Sequence, residues 1–292
     1  MNRNLAPWLT KRIPSPATVA EVERMVRSAD LHTVCESARC PNQGECWSRR
    51  TATFMILGNI CTRNCGFCAI GVGRPLPPDP DEPRRVAEAA SAMGLRHVVV
   101  TSVTRDDLPD KGAGHFAATI AAIRDALPDA GVEVLTPDFQ GSDDLIGVVV
   151  QESPDIFNHN LETVARLTAA VRPQGRYERS LHVLATAKRL APSMVTKSGI
   201  MVGLGETREE VLEAMRDLRD AEVSILTVGQ YLRPTMRHLA VVEYVHPDVF
   251  DYYGEAALSM GFTHVSSSPF TRSSYKAEEF SPRRAGAGGS AA

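Results

Sequence analysis

Residues 51–68 read TATFMILGNICTRNCGFC, a β-branched, apolar run that ends in three closely spaced cysteines. Residues 51–60 have the composition of a buried strand. That strand delivers the chain straight into Cys61, Cys65 and Cys68, spaced Cys-x3-Cys-x2-Cys. Downstream the pattern alternates. Residues 97–103 (HVVVTSV), 132–137 (VEVLTP), 156–161 (IFNHNL), 195–204 (VTKSGIMVGL) and 225–232 (ILTVGQYL) read as further strands. Helices are predicted near 115–127, where Phe116, Ile120 and Ile123 keep helical spacing, and over 143–151, 177–190 and 247–260. Thr207 is a helix N-cap, and Glu210 three residues on completes a capping box. A strand-like piece, 262–266, closes the pattern, and 1–50 is irregular apart from a helix near 19–28.

Six βα units with apolar strands mean a parallel sheet covered by helices. Eight would close a barrel, so six predict a partial one. The fold class expected is α/β, a partial (β/α)6 TIM-like barrel with N-terminal and C-terminal extensions. The barrel takes residues 51–235, the extensions 1–50 and 236–280, and the Gly/Ala/Ser-rich tail 281–292 reads as disordered. Chemistry in such folds sits at the C-terminal ends of the strands. The cysteine loop after the first strand therefore lies on the working face.

All six cysteines fall between positions 35 and 68, as two triads. Cys35, Cys40 and Cys46 lie in CESARCPNQGEC, upstream of Cys61, Cys65 and Cys68. Clustered thiolates at short spacing hold iron–sulfur clusters. A 4Fe–4S cube has four irons, so each triad leaves one iron open, and two triads suggest two cubes. Disulfides suit small secreted domains, whereas this chain has 292 residues and opens MNRNLAPWLTKRIPS, without an apolar signal core. Zinc is the more serious rival, with His32 as a possible fourth ligand, but the x3–x2 spacing is unlike a zinc ribbon. A net charge of −3 gives no basic field for nucleic acid. No apolar stretch is long enough to span a membrane. Reduced thiols without an export signal indicate a reducing cytoplasm.

CTRNCGFC at the end of the first strand of such a chain resembles the radical S-adenosylmethionine (SAM) superfamily. The resemblance implies that the amino and carboxylate groups of SAM chelate the open iron of the cluster on Cys61, Cys65 and Cys68. Phe67 would cover that cluster. Thr101, Ser102 and Thr104, after the second strand, would meet the methionine amino group. Asp106 and Asp107 read as solvated loop acids. Asn158, Asn160 and Glu162 would reach ribose or methionine from the fourth strand tip. Lys197 and Ser198 lead into GIMVGLGE, where Gly199, Gly203 and Gly205 would admit a flat adenine or serve as an ordinary turn.

The upstream triad, Cys-x4-Cys-x5-Cys, together with RSSYKA at 272–277, is similar to the lipoyl synthase family. Further matching runs are TSVTRDDLPDKGAGHF, NHNLETV and VGQYLRPT, with Lys111 a departure in a loop. In that family the upstream triad and a serine of the C-terminal motif hold an auxiliary 4Fe–4S cluster. Ser273 would be the ligand here, with Ser274 in reserve, and Arg272 and Tyr275 would support the loop. The resemblance implies insertion of two sulfur atoms at carbons 6 and 8 of an octanoyl chain on a protein lysine. The sulfur would come from the auxiliary cluster. Expected partners are octanoylated lipoyl domains of 2-oxoacid dehydrogenase E2 subunits or the glycine-cleavage H protein, and a flavodoxin or ferredoxin as reductant. The alternatives are another radical SAM sulfur-inserting enzyme or a non-catalytic two-cluster protein. Against the first, the strands after Cys68 hold no cysteine of the kind that biotin-synthase-like proteins carry inside the barrel, and the second has no use for a βα scaffold of this size.

Overall fold

The computed structural model describes residues 6–10, 16–48 and 52–280. Thr51 and the tail 281–292, expected to be disordered, lie outside the described residues. The strands are β1 (His32–Thr33), β2 (Thr53–Ile56), β3 (Ile60–Cys61), β4 (Gly71–Val72), β5 (His97–Ser102), β6 (Gly131–Leu135), β7 (Ile156–Asn158), β8 (Val195–Val202), β9 (Ile225–Gln230) and β10 (His264–Ser268). The helices are α1 (Pro16–Ser28), α2 (Val34–Ser37), α3 (Gln43–Ser48), α4 (Glu82–Ala92), α5 (Ala113–Ala126), α6 (Asp143–Gln151), α7 (Ala165–Val171), α8 (Tyr177–Leu190), α9 (Arg208–Asp220) and α10 (Pro247–Ser259).

One eight-stranded sheet runs β1-β2-β5-β6-β7-β8-β9-β10, and β3 and β4 form a separate ribbon. Every pairing from β2 through β10 is parallel, and only β1 is antiparallel. Each strand pairs with the next in the chain, the order expected of sequential right-handed βα units. The edge strands β1 and β10 do not pair with each other, so this TIM-like barrel is partial. Both extensions add to its sheet, β1 at one edge and β10 at the other.

The strand predicted over 51–60 is shorter than expected. β2 ends at Ile56 because Leu57 and Gly58 both take positive φ, +67° and +86°. Leu57 is held there by its backbone N–H, which donates to Glu82 Oε2 at 2.8 Å. It is also buried against Gly112, where a Cβ would stand 2.4 Å from Leu57 Cδ1. Glycine at 112 thus permits the kink that turns the chain toward the cysteines. The capping box appears as expected: Glu210 N–H donates to Thr207 Oγ1 and the Thr207 N–H donates to Glu210 Oε2. Helices α2, α3, α4 and α7 were not marked by apolar periodicity. α4 buries a narrow stripe of Val86, Ala87 and Ala90 under an otherwise charged surface.

The core has two main parts. One packs β2, β5 and β6 with α1, α4, α5 and α6, and the other packs β8 and β9 with α9 and α10. Among the described residues no helix is long and apolar enough to cross a membrane.

Candidate active site

A cavity of about 510 Å³ opens at the C-terminal ends of the strands. All six cysteines line it, and all six are free thiols. The loop carrying Cys61, Cys65 and Cys68 is fixed by its own backbone. Gly66 N–H donates to Val171 O at 2.8 Å, and Gly66 O accepts from Leu239 N–H at 3.0 Å. A Cβ at Gly66 would stand 2.9 Å from Leu239 Cγ, so only glycine lets the two segments meet. His238 Nε2 donates to Cys68 O at 3.0 Å, which leaves Nδ1 to accept from Thr235 Oγ1 at 2.9 Å. Phe67 packs among Val171, Leu204 and Tyr231 and lines the cavity. The Cys61 sulfur accepts from the backbone N–H of Arg63 at 3.4 Å and of Thr104 at 3.3 Å.

The loop is also pinned by charge, through a residue that sequence reasoning missed. Arg63 lies inside the motif and is buried. Its guanidinium donates to Asp106 at 2.6 and 2.9 Å and to Asp138 at 2.7 and 2.9 Å. Asp138 opposes its burial with these bonds, and Arg63 holds its carboxyl well below the usual carboxylate range. Asp106 and Asp107, expected to be solvated, are both engaged: Asp106 with Arg63, and Asp107 with the buried Arg105 at 2.9 Å.

The second triad is assembled from both ends of the chain. Cys35 lies in α2, and Cys40 and Cys46 flank the entry and body of α3. The segment 270–275 comes down beside them. Asn42 Nδ2 donates to Phe270 O at 2.8 Å, and the Tyr275 hydroxyl donates to Glu45 Oε1 at 2.7 Å. Arg272, Ser273, Ser274 and Tyr275 all line the cavity. Gly229 makes room for this segment, since a Cβ there would be 2.2 Å from Thr271 O. Ser273 Oγ meets the Asn160 amide, accepting from Nδ2 at 2.7 Å and lying 2.9 Å from Oδ1.

Burial pushes the Cys35 thiol up to about 11 and the Cys68 thiol up to about 12, and raises Cys65 as well. Such thiols ionise only when a cation takes the proton's place. Among the described residues no three His, Cys, Asp or Glu side chains are spaced to hold a single metal ion. A cube asks for something different, one thiolate on each of several irons.

Of the other residues singled out by sequence, Thr101, Ser102, Thr104, Asn160 and Glu162 line the cavity. Thr101 Oγ1 is spent on Leu135 O at 2.8 Å, and Thr104 O accepts from Thr62. Ser102 Oγ is buried without a hydrogen-bond partner. Glu162 takes φ +71°, pinned by its N–H to Gly199 O and its O to Met201 N–H. A non-glycine residue in this region costs on the order of 1–3 kcal/mol, and such strain gathers at functional sites. Burial raises the Glu162 carboxyl.

Asn158, Lys197, Ser198 and Gly203 are not brought to the cavity. Lys197 donates to Glu133 at 2.9 and 3.1 Å, and Asn158 Nδ2 donates to Glu133 Oε1 at 3.1 Å, all fully buried. His97 Nε2 lies 3.5 Å from Glu133 Oε2. Burial alone would raise Glu133, but Lys197 and His97 outweigh it and hold the carboxyl low. These residues form a polar layer of the barrel interior beneath the cavity. Ser198 Oγ accepts from Leu161 N–H, and Gly203, at φ +99°, packs against Gln230 and Glu243 O.

Two further cavity residues escaped the sequence reading. Arg172 is buried and donates through Nη1 to Asn160 O, Leu161 O and Ser180 Oγ at 3.0–3.3 Å. It acts on Cys65 with the opposite sign to Glu162. His159 Nδ1 donates to Thr136 O at 2.9 Å, and its Nε2 accepts from Ser180 Oγ at 3.0 Å. Burial pushes this imidazole down to about 4, so it is neutral.

This geometry agrees with comparisons to known proteins. The radical SAM superfamily model matches residues 55–218. Solved structures with the same fold include Streptococcus suis SuiB bound to S-adenosylmethionine (TM-score 0.59, 12% identity, 73% of this chain and 49% of that one). Another is HydG, a maturase of the [FeFe]-hydrogenase (TM-score 0.53, 15% identity, 85% and 68%). Lipoyl synthase of Rubrobacter xylanophilus is 59% identical over 272 residues, 93% of this chain and 85% of its own length. That of Caldanaerobacter subterraneus is 58% identical over 271 residues, 93% and 95%. With both triads and the C-terminal serine motif walling one cavity of a radical SAM barrel, and identity of this extent along nearly the whole chain, the protein belongs to the lipoyl synthase family of the radical SAM superfamily.

Proposed function

We propose that the protein inserts two sulfur atoms, at carbons 6 and 8, into an octanoyl chain borne on a protein lysine. The observation that carries this reading is the shared cavity, which Cys61, Cys65 and Cys68 line together with Cys35, Cys40, Cys46 and Ser273. The donor set fits two cubes of three thiolates each, with Ser273 as the fourth ligand of the second and Ser274 beside it. When bound, SAM and its cluster supply the 5′-deoxyadenosyl radical, and the auxiliary cluster supplies the sulfur.

The protein's own residues bind, orient and exclude water. Glu162 and Arg172 face Cys65 with opposite charges, which suits the amino and carboxylate ends of a methionine moiety. Ser102 Oγ offers an unused hydroxyl to the same ligand. Met55, Val103, Leu135 and Met201 give the cavity apolar walls for an alkyl chain. The backbone N–H groups on Cys61 Sγ stabilise a thiolate there. We read residues 51–235 as the catalytic barrel, 1–50 and 236–280 as the extensions that carry the auxiliary-cluster ligands, and the cytoplasm as the compartment. The acceptor is an octanoylated lipoyl domain of a 2-oxoacid dehydrogenase E2 subunit or the glycine-cleavage H protein, with a flavodoxin or ferredoxin as reductant.

The test is anaerobic. Protein reconstituted with iron and sulfide receives SAM, dithionite and an octanoyl-lysyl peptide, and mass spectrometry follows the peptide. Replacement of two hydrogens by two sulfurs is expected. 5′-Deoxyadenosine with an unchanged peptide would keep the radical chemistry and refute the substrate.

A further inference from the structure

Ser273 and Glu162 both line the cavity, and one side chain touches both. Asn160 Nδ2 has two hydrogens. It donates to Ser273 Oγ at 2.7 Å and to Glu162 Oε1 at 3.1 Å, so its donors are saturated. The residue has little freedom. Its side chain is buried, and its carbonyl accepts from Arg172. A Cβ at Gly199 would stand 2.9 Å from Asn160 Oδ1 and 3.0 Å from Ser273 Oγ. Glycine at 199 therefore lets this pair close down onto β8. Glu162 is equally fixed, its left-handed backbone bonded on both sides to β8.

We propose that Asn160 is a positioning residue that couples the occupancy of the Glu162 side of the cavity to the hold on the Ser273 hydroxyl. This deepens the proposed function and rests on Ser273 as the ligand of the auxiliary cluster. An ammonium group arriving at Glu162 competes with Asn160 for the carboxylate. The amide then concentrates its donation on Ser273 Oγ. A donor aimed at a metal-bound, negatively charged serine oxygen is a charge-assisted hydrogen bond, about twice as strong as a neutral one. Filling the SAM side thus tightens the serine on its iron, and the auxiliary cluster is held most firmly while SAM is in place.

The test measures iron loss without turnover. Protein holding both clusters, without reductant, is exposed to an iron chelator with and without SAM, and the serine-bound iron is followed by Mössbauer spectroscopy. In the wild type, SAM is expected to slow release of that iron. Asn160→Asp keeps the shape but removes the donor. Loss of one charge-assisted bond should speed release by roughly 10-fold or more and abolish the SAM effect. Glu162→Gln, which leaves Asn160 in place, should also lose the SAM effect and serves if Asn160→Asp does not fold. Ser273→Ala separates the two readings. If Ser273→Ala leaves the Mössbauer signature and release rate unchanged, the ligand assignment fails, and the coupling with it. If Ser273→Ala changes both but Asn160→Asp releases iron at the wild-type rate with the SAM effect intact, Asn160 is not the positioning residue.

Discussion

The two cysteine triads face the same cavity but are held in different ways. Cys61, Cys65 and Cys68 ride on a loop tied to the barrel by backbone bonds at Gly66 and Cys68 and by Arg63, whose buried guanidinium spans Asp106 and Asp138. Cys35, Cys40 and Cys46 sit on short helices of one extension, and their partner segment comes from the other. Among the described residues, side-chain hydrogen bonds from Asn42 to Phe270 O and from Tyr275 to Glu45 join those extensions. A site that must work in every catalytic cycle is built into the rigid scaffold. On the proposed function the second cluster is taken apart, and its site is closed by the separate segment 270–275, a strap across the two extensions.

The sharpest way to break this contrast is to remove one thiolate from each triad. Cys61→Ala is expected to abolish SAM cleavage and with it all product. Cys35→Ala is expected to retain SAM cleavage and make no thiolated product, as read by 5′-deoxyadenosine and peptide mass together. Equal loss of SAM cleavage in both variants would erase the distinction.

The anchoring differs in energy as well. Arg63→Ala leaves Asp138 buried with Arg179, at 3.2 Å, as its remaining ion-pair partner among the described residues and the Gln140 N–H, at 3.0 Å, as a donor. Removing one partner of a buried ion pair costs about 3–5 kcal/mol. Urea unfolding of the cluster-free protein should show a loss of that order. Less than about 1 kcal/mol, the range of an exposed pair, would mean that Arg63 is not the anchor.

The barrel side also carries a pH signature. The folded-state imidazole of His159 titrates near 4, below its ordinary 6.5. As pH falls below 6.5 the unfolded chain takes up the proton first, so this contribution to stability is present above 6.5 and is lost as pH falls toward 4. Between pH 7 and pH 5 the loss is about 2 kcal/mol. His159→Gln should remove that part of the pH dependence, and a variant with the wild-type slope would show that other groups carry it.

The smallest effect belongs to the strap. Tyr275→Phe removes one hydrogen bond to a carboxylate, worth about 1.5–3 kcal/mol at most when buried and less in this half-exposed position. Global unfolding should barely move. Hydrogen exchange over 270–280 should accelerate while the barrel strands stay protected, and uniform acceleration would make the strap part of the core.

Local pattern made much of this legible. Apolar runs and cysteine spacing placed the strands, the cavity face and both triads, because each signal lies within a few residues. The strand ends located the working face but not the depth. Lys197 and Gly199 project to the same side of β8, yet Gly199 lines the cavity while Lys197 lies a layer below with Glu133. The kink at Leu57 depends on Glu82 and Gly112, far along the chain. Arg63, Arg172 and His159 carried no local mark, since their roles come from Asp138, Asn160 and Ser180, which only folding brings near.

The source of the inserted sulfur separates the two triads most directly. Protein whose clusters are rebuilt with heavy-isotope sulfide, freed of excess sulfide and given SAM, dithionite and an octanoyl-lysyl peptide in ordinary-isotope buffer should yield, in one turnover, product in which both sulfurs are heavy. Cys35→Ala treated alike should yield none. Light sulfur in the product, or heavy product from Cys35→Ala, would contradict the assignment of the Cys35, Cys40 and Cys46 cluster as the donor.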